Sequence, residues 1–269
     1  MSSGFHIVVC GSLVPDPLQT LEPVPGLASP ALKNELMLPS VLDPWAAHAL
    51  YEAAHLAKAT ADSKVWLVSL GPKARLQQLM MNVAQKVPFE LVAIDGSASG
   101  FVDAYEVAAA LANAIEAIPD LDRSRLLLFG GRSSASRDAG VTMQMIGERL
   151  GIVDQFLAVD KLTVNGDGSF HLLERLEGGR YLASSCDGPP IMIGWSTGEL
   201  PEPPNNPQVG MLNMRSIMPA LQKAQPANLA TEGTTFVSLE VPQQRRETRI
   251  VKDLPIAEMA REIVDWIRS

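Results

Sequence analysis

Short apolar runs alternate with helix-length segments through the first half of the chain, and that rhythm limits the fold more than any other feature. Residues 5–11 (FHIVVCG), 64–70 (KVWLVSL), 89–94 (FELVAI) and 125–129 (RLLLF) are apolar nearly throughout, as strands buried on both faces are. Between them, Asp43-Pro44 opens a helix with Asp as cap and Pro at its first position, running to about Ala59. After Gly71-Pro72, the residues Leu76, Leu79, Met80 and Val83 recur at core spacing, and a longer helix spans Val102 to Ile118. This alternation predicts an α/β fold, a doubly wound, Rossmann-like parallel sheet covered by helices on both faces.

Residues 12–42 interrupt the rhythm. Pro15, Pro17, Pro23, Pro25, Pro30 and Pro39 forbid a regular helix there and predict an ordered surface excursion. After Gly151, four runs (Gln155–Val164, Gly168–Leu176, Arg180–Ser185 and Ile191–Trp195) are separated by hairpin-type turns and predict an antiparallel extension. Thr197–Gly210 reads as an unpacked connection, and Met211–Ala224 recovers a helical pattern through Met214, Ile217, Met218 and Leu221. The chain therefore divides into a nucleotide-binding α/β domain, residues 1–224, and a C-terminal arm, residues 225–269. The arm ends in an amphipathic helix, Pro255–Arg268, with Ile256, Met259, Ile263 and Trp266 or Ile267 on one face. Such a tail either docks on a partner or folds back on its own domain.

The fourth strand runs into the loop Gly130-Gly-Arg-Ser-Ser-Ala-Ser-Arg-Asp-Ala-Gly-Val-Thr142. Adjacent glycines let backbone approach backbone, Ser133, Ser134 and Ser136 add hydroxyl donors, and a helix N-terminus is expected near Arg137 or Asp138. Such a loop suits a phosphate. It is equally the form of an ordinary strand-to-helix turn in which Ser136 or Asp138 caps the helix.

The 269 residues, 46% hydrophobic and 19% charged, suffice for a full core, and the formal charge of −8 with no basic stripe argues against a nucleic-acid surface. Cys10 and Cys186 form neither a CxxC pair nor a metal-ligand pattern and read as buried free thiols. The four histidines are scattered, so no metal site is expected. No apolar run approaches the ~18 residues of a membrane span; together with the lack of a leader-like N-terminus, this predicts a soluble, cytoplasmic protein. No GxSxG elbow, Walker Gly-Lys-Thr or His-Glu helix pair is present, so the residues alone lead to an α/β nucleotide binder without a catalytic constellation.

Taken together and in order, the landmarks resemble the small (beta) subunit of electron-transfer flavoproteins over nearly the whole chain. They are Val14-Pro15-Asp16, Asp43-Pro44-Trp45, Val68-Ser-Leu-Gly-Pro72, Gly131-Arg132 through Thr142, Leu173-Glu-Arg-Leu-Glu-Gly-Gly179 and Ser216-Ile217-Met218. The resemblance implies a non-catalytic electron carrier that pairs with a larger alpha subunit and passes electrons from a flavin-dependent dehydrogenase through FAD to an acceptor. It implies AMP, or in a bifurcating variant a second FAD, held by Cys10, Asp43, Pro44, Trp45, Ala46, Leu70 and the loop residues Gly131, Arg132, Ser133, Ser134, Ser136, Arg137, Asp138, Gly140, Val141 and Thr142. Trp45 falls where the family sets an aromatic beside a flavin held mainly by the alpha subunit; a core tryptophan is the alternative. The segment Pro203–Met218 matches the recognition loop, with Leu212, Met214 and Ile217 as contact residues and Met214 as its anchor, or else as core. Where family members commonly carry glutamines and acids, this loop holds Ser133, Ser136, Arg137, Asp138 and Val141, and Arg137 offers a charge-assisted phosphate contact. A stand-alone nucleotide-binding regulator and an adenylating enzyme are further readings of the same loop, the second lacking a phosphate-gripping lysine motif.

Overall fold

The computed structural model describes residues 4–26, 30–97, 101–135, 140–198, 201–227, 229, 237–240 and 250–268. Two compact units are present, residues 1–237 and residues 238–269.

In the first unit β1 (His6–Cys10) leads into four short strands, β2 (Leu13–Pro15), β3 (Pro23–Val24), β4 (Ala31–Leu32) and β5 (Ser40–Leu42). The proline-rich excursion is thus two small antiparallel ribbons, β2 with β5 and β3 with β4. Helix α1 (Pro44–Ala59), strand β6 (Lys64–Gly71), helix α2 (Lys73–Val83), strand β7 (Glu90–Asp95) and helix α3 (Ala104–Glu116) follow the predicted alternation. Then come β8 (Leu126–Gly131), α4 (Thr142–Arg149), β9 (Asp154–Val164), β10 (Phe170–Arg175), β11 (Tyr181–Cys186), β12 (Ile191–Trp195), α5 (Pro207–Lys223) and β13 (Gln225–Pro226).

The main sheet has nine strands in the order β11-β10-β9-β12-β8-β1-β6-β7-β13. Strand β1 lies between β6 and β8, parallel to both. Its inward residues alternate between two cores, one on each face. Ile7 and Val9 join Leu67, Leu127 and Phe129 against Ala49, Leu50 and Ala53 of α1, Leu76 and Met80 of α2, and Ile217 and Leu221 of α5. Val8 and Cys10 join Val68 and Leu128 against Leu111 and Ile115 of α3 and Ile146 of α4. A period of two along the strand, with helix stripes on either side, is what fixes the doubly wound arrangement.

Ile191–Trp195 departs from the predicted antiparallel extension: β12 is an inner strand, parallel to β8 on one side and to β9 on the other. All five of its residues are buried, which only a strand covered on both faces permits. The antiparallel part is β9, β10 and β11. Strand β9 carries a bulge at Ala158, where Leu157 and Val159 face successive residues of β12 and Ala158 takes a φ of 54°. A bulge bends its strand and strengthens the twist. The far half of the hairpin thereby reaches the first core, where the Phe170 ring meets that of Phe5 at 5.6 Å.

Helix α5 starts at Pro207, earlier than its apolar pattern suggests, because the Asn206 side chain accepts from the Gln208 and Val209 amides and Pro207 needs no amide partner at the first position. In the second unit, α6 (Ile256–Arg268) is amphipathic and buries none of its residues.

Candidate functional site

In a doubly wound sheet, ligands bind outside the carboxyl ends of the strands, where the chain order reverses. Here that point lies between β1 and β8, since β6 and β7 extend from one side of β1 and β8 and β12 from the other. Cys10 ends β1 and Gly131 ends β8.

A cleft of about 50 Å³ opens at this point. It is lined by Cys10, Asp43, Ala46, Gly131, Ser133, Ser134, Gly140 and Thr142, eight of the residues named from sequence, joined by Ser12, Leu111 and Met143. Ser12 stands just beyond the end of the first strand, a position readable in retrospect. Leu111 comes from α3, and nothing local marks it.

Asp43 organises the cleft. Its Oδ1 accepts the Trp45 amide and so caps α1, as Asp43-Pro44 predicts. Its Oδ2 accepts the Ser134 hydroxyl at 3.1 Å and the Ala135 amide at 2.9 Å, across 91 and 92 residues of chain. One carboxylate therefore ties the start of α1 to the glycine loop. Asp43 is 3% exposed. Burial pushes its carboxyl above the usual range, opposed by the hydrogen bonds from Ala135, Trp45 and Ser134.

The glycines serve the same closeness. A Cβ on Gly131 would overlap the Trp45 Cβ, and one on Gly140 would overlap the Arg132 carbonyl oxygen. The Arg132 amide donates to the Trp195 carbonyl at 2.8 Å, and its guanidinium stands 5.3 Å from the centre of the partly buried Trp45 ring. Burial pushes the Cys10 thiol up to about 12, so the cleft meets a neutral sulfhydryl rather than a thiolate.

The helix after the loop begins at Thr142, later than Arg137 or Asp138, and its cap position falls on Val141, which has no side-chain oxygen to offer. The Ser134 hydroxyl instead goes to Asp43. Ser136, Arg137 and Asp138 lie outside the described residues. Pro44, Arg132 and Val141 are exposed, and Leu70 is buried in the second core away from the cleft lining.

The residues read as a recognition segment sit on α5 and separate by burial. Leu212 is 60% exposed, whereas Met214 packs partly buried on the first core. Ile217 is fully buried there. A side chain in that position holds the helix to the sheet and is not available as a surface contact.

Cys10 and Cys186 are free, as expected, but Cys186 is only partly buried at the end of the edge strand β11. Among the described residues no cluster of His, Cys, Asp or Glu could hold a metal ion, and no helix is long and apolar enough to cross a membrane.

A mostly parallel central sheet with helices on both faces, its chain order reversing between β1 and β8, defines the class of doubly wound, Rossmann-like α/β proteins. Within that class, the family model of the electron transfer flavoprotein domain matches residues 34–226, and the chain belongs to that family. Its members are flavin-associated electron carriers that generally work as heterodimers with a partner subunit. No curated protein matches the chain.

Proposed function

We propose that this chain is the beta subunit of a heterodimeric electron-transfer flavoprotein and a carrier rather than a catalyst, with AMP bound at the β1–β8 cleft. The observation that carries the reading is the Asp43 tie, which joins the start of α1 and the glycine loop, two segments that the family landmarks single out, around one cleft. The fit is partial and informative. A volume of about 50 Å³ admits a small polar group. Nucleoside-sized sites run to roughly 300 Å³ and more.

Within this reading, Ser133 and Thr142 hold the phosphate, the Ser134 hydroxyl being given to Asp43, while Asp43 faces a hydroxyl-bearing part of the ligand, because a carboxylate repels phosphate and accepts from a ribose hydroxyl. Cys10 and Ala46 supply small neutral walls. FAD, held mainly by the larger subunit, would supply the redox chemistry between a flavin-dependent dehydrogenase and an acceptor. Trp45, fixed by Arg132 and Gly131, presents an aromatic surface for that flavin to pack against. Of Leu212 and Met214, it is Leu212 that stands exposed on α5, fit to contact the dehydrogenase, while Met214 faces the core.

The test is to co-express the chain with its genomic neighbour, purify the complex, and count the nucleotides released on denaturation. One FAD with one AMP supports the reading. Two FAD assign the cleft to a second flavin, and a stable monomer with neither overturns the electron-transfer role.

A further inference from the structure

Backbone amides at the start of a helix and in a glycine-rich turn, with a hydroxyl beside them, are the donors that a bound phosphate uses. Here the Trp45 amide at the start of α1, the Ser134 hydroxyl and the Ala135 amide all donate to the Asp43 carboxylate, at 3.0, 3.1 and 2.9 Å. A carboxylate has about four acceptor positions, and these donors take three of them. An anion belonging to the chain itself therefore sits where the donors of two separate segments converge.

The same anion sets the charge of the cleft. Among the described residues that line it, Asp43 is the one charged side chain, and Cys10 is held as a neutral thiol. Arg132 is not part of the lining; its guanidinium lies over the Trp45 ring. A cleft of about 50 Å³ leaves a phosphate on Ser133 and Thr142 no room to stand clear of the Asp43 carboxylate. Two anions that close, in a site with little water between them, repel strongly.

We infer that Asp43 is a built-in competitor of the nucleotide's phosphate, so that the nucleotide of this chain is an exchangeable ligand and not a fixed part of the fold. Two effects act in the same direction. When the cleft is empty, Asp43 keeps the loop donors satisfied and the loop joined to α1, so the empty state carries no penalty for unpaired amides. When the cleft is filled, the phosphate is held against a fixed negative charge, which lowers affinity and speeds release. The inference rests on the nucleotide reading for the identity of the ligand and adds to it how the ligand is held.

The test uses the full chain, in complex with its partner subunit where the two co-purify. The protein is dialysed, the AMP it retains is measured, and AMP and adenosine are then titrated calorimetrically. Expected is that the parent gives up its AMP on dialysis, and that the ratio of AMP to adenosine affinity rises at least about tenfold in Asp43→Asn, which removes the charge and leaves an oxygen to cap α1. AMP retained by the parent through dialysis, or a ratio unchanged in Asp43→Asn, overturns the inference. If neither ligand binds either protein, the nucleotide reading fails, and thermal melting decides the competitor role without it. Inorganic phosphate at about 50 mM should then raise the melting temperature of Asp43→Ala by about 2–5 °C more than that of the parent, by filling the place of the lost carboxylate, while chloride at equal ionic strength should not. Equal shifts in the two proteins overturn the competitor role.

Discussion

Replacing Asp43 with Ala removes three acceptor contacts from one buried atom pair: the Trp45 amide at 3.0 Å, the Ser134 hydroxyl at 3.1 Å and the Ala135 amide at 2.9 Å. Loss of the helix cap costs about 1 kcal/mol. Leaving the partly buried loop donors without their acceptor adds about 1–2 kcal/mol, so the variant is expected to be about 2–3 kcal/mol less stable. For a protein of this size that lowers the melting temperature by about 4–12 °C. Asp43→Asn separates the two roles. Its remaining oxygen can still cap α1, but its amide nitrogen cannot accept from Ala135, so the loss falls to about 1 kcal/mol. The assay is denaturant unfolding of both variants, with hydrogen exchange at the Ala135 amide as the local readout. Exchange there should accelerate in both variants, while exchange at the Trp45 amide should accelerate only in Asp43→Ala. A stability of Asp43→Ala within ~0.5 kcal/mol of the parent, the range of an ordinary surface substitution, would refute the account of Asp43 as the tie between helix and loop.

Three further outcomes are expected. His6 is buried, accepts the Asp122 amide at Nδ1, and is held below its ordinary pKa by burial and then by the Arg125 charge. Its contribution is complete above about pH 6.5 and is lost as pH falls through the lowered folded value, so unfolding titrations should show a steeper loss on acidification in the parent than in His6→Asn. Gly140→Ala forces a methyl against the Arg132 carbonyl oxygen and should cost about 1–3 kcal/mol, measured as a fall in the urea midpoint. Asp160 is 4% exposed; burial pushes its carboxyl up, but hydrogen bonds from Arg175, Thr197 and Tyr181 outweigh that and hold it below the usual range. Asp160→Ala should therefore cost about 2–4 kcal/mol at pH 7, and the difference from the parent should shrink as acid protonates Asp160.

What the sequence showed and what it hid follow from how local each signal is. The two-faced apolar runs and the Asp43-Pro44 start of α1 are local, and both stand in the structure. The Asn206-Pro207 start of α5 carried an equally local cap signal, masked by the surrounding prolines and glycines. For Ile191–Trp195 the fully apolar run pointed to an inner strand, but its short turn from β11 imitated a hairpin. The second task of Asp43 was hidden, because its partners at 134 and 135 are chosen by the packing of α1 on β8 rather than by any neighbouring residue. The burial of Ile217 beside the exposed Leu212 was likewise settled by which face of α5 meets the sheet.

The central position of β1 has a consequence for synthesis. Strand β1 leaves the ribosome before β6, β8 and β12, all of which must be in place before the sheet is complete; Phe5 waits for Phe170. At roughly 5–20 residues per second, β12 follows β1 by about 10–40 s. For that interval the nascent chain carries an adhesive stretch, His6–Cys10, with part of its final shelter not yet made. A chain built this way leaves that stretch exposed during translation for longer than one whose sheet grows outward from an early hairpin.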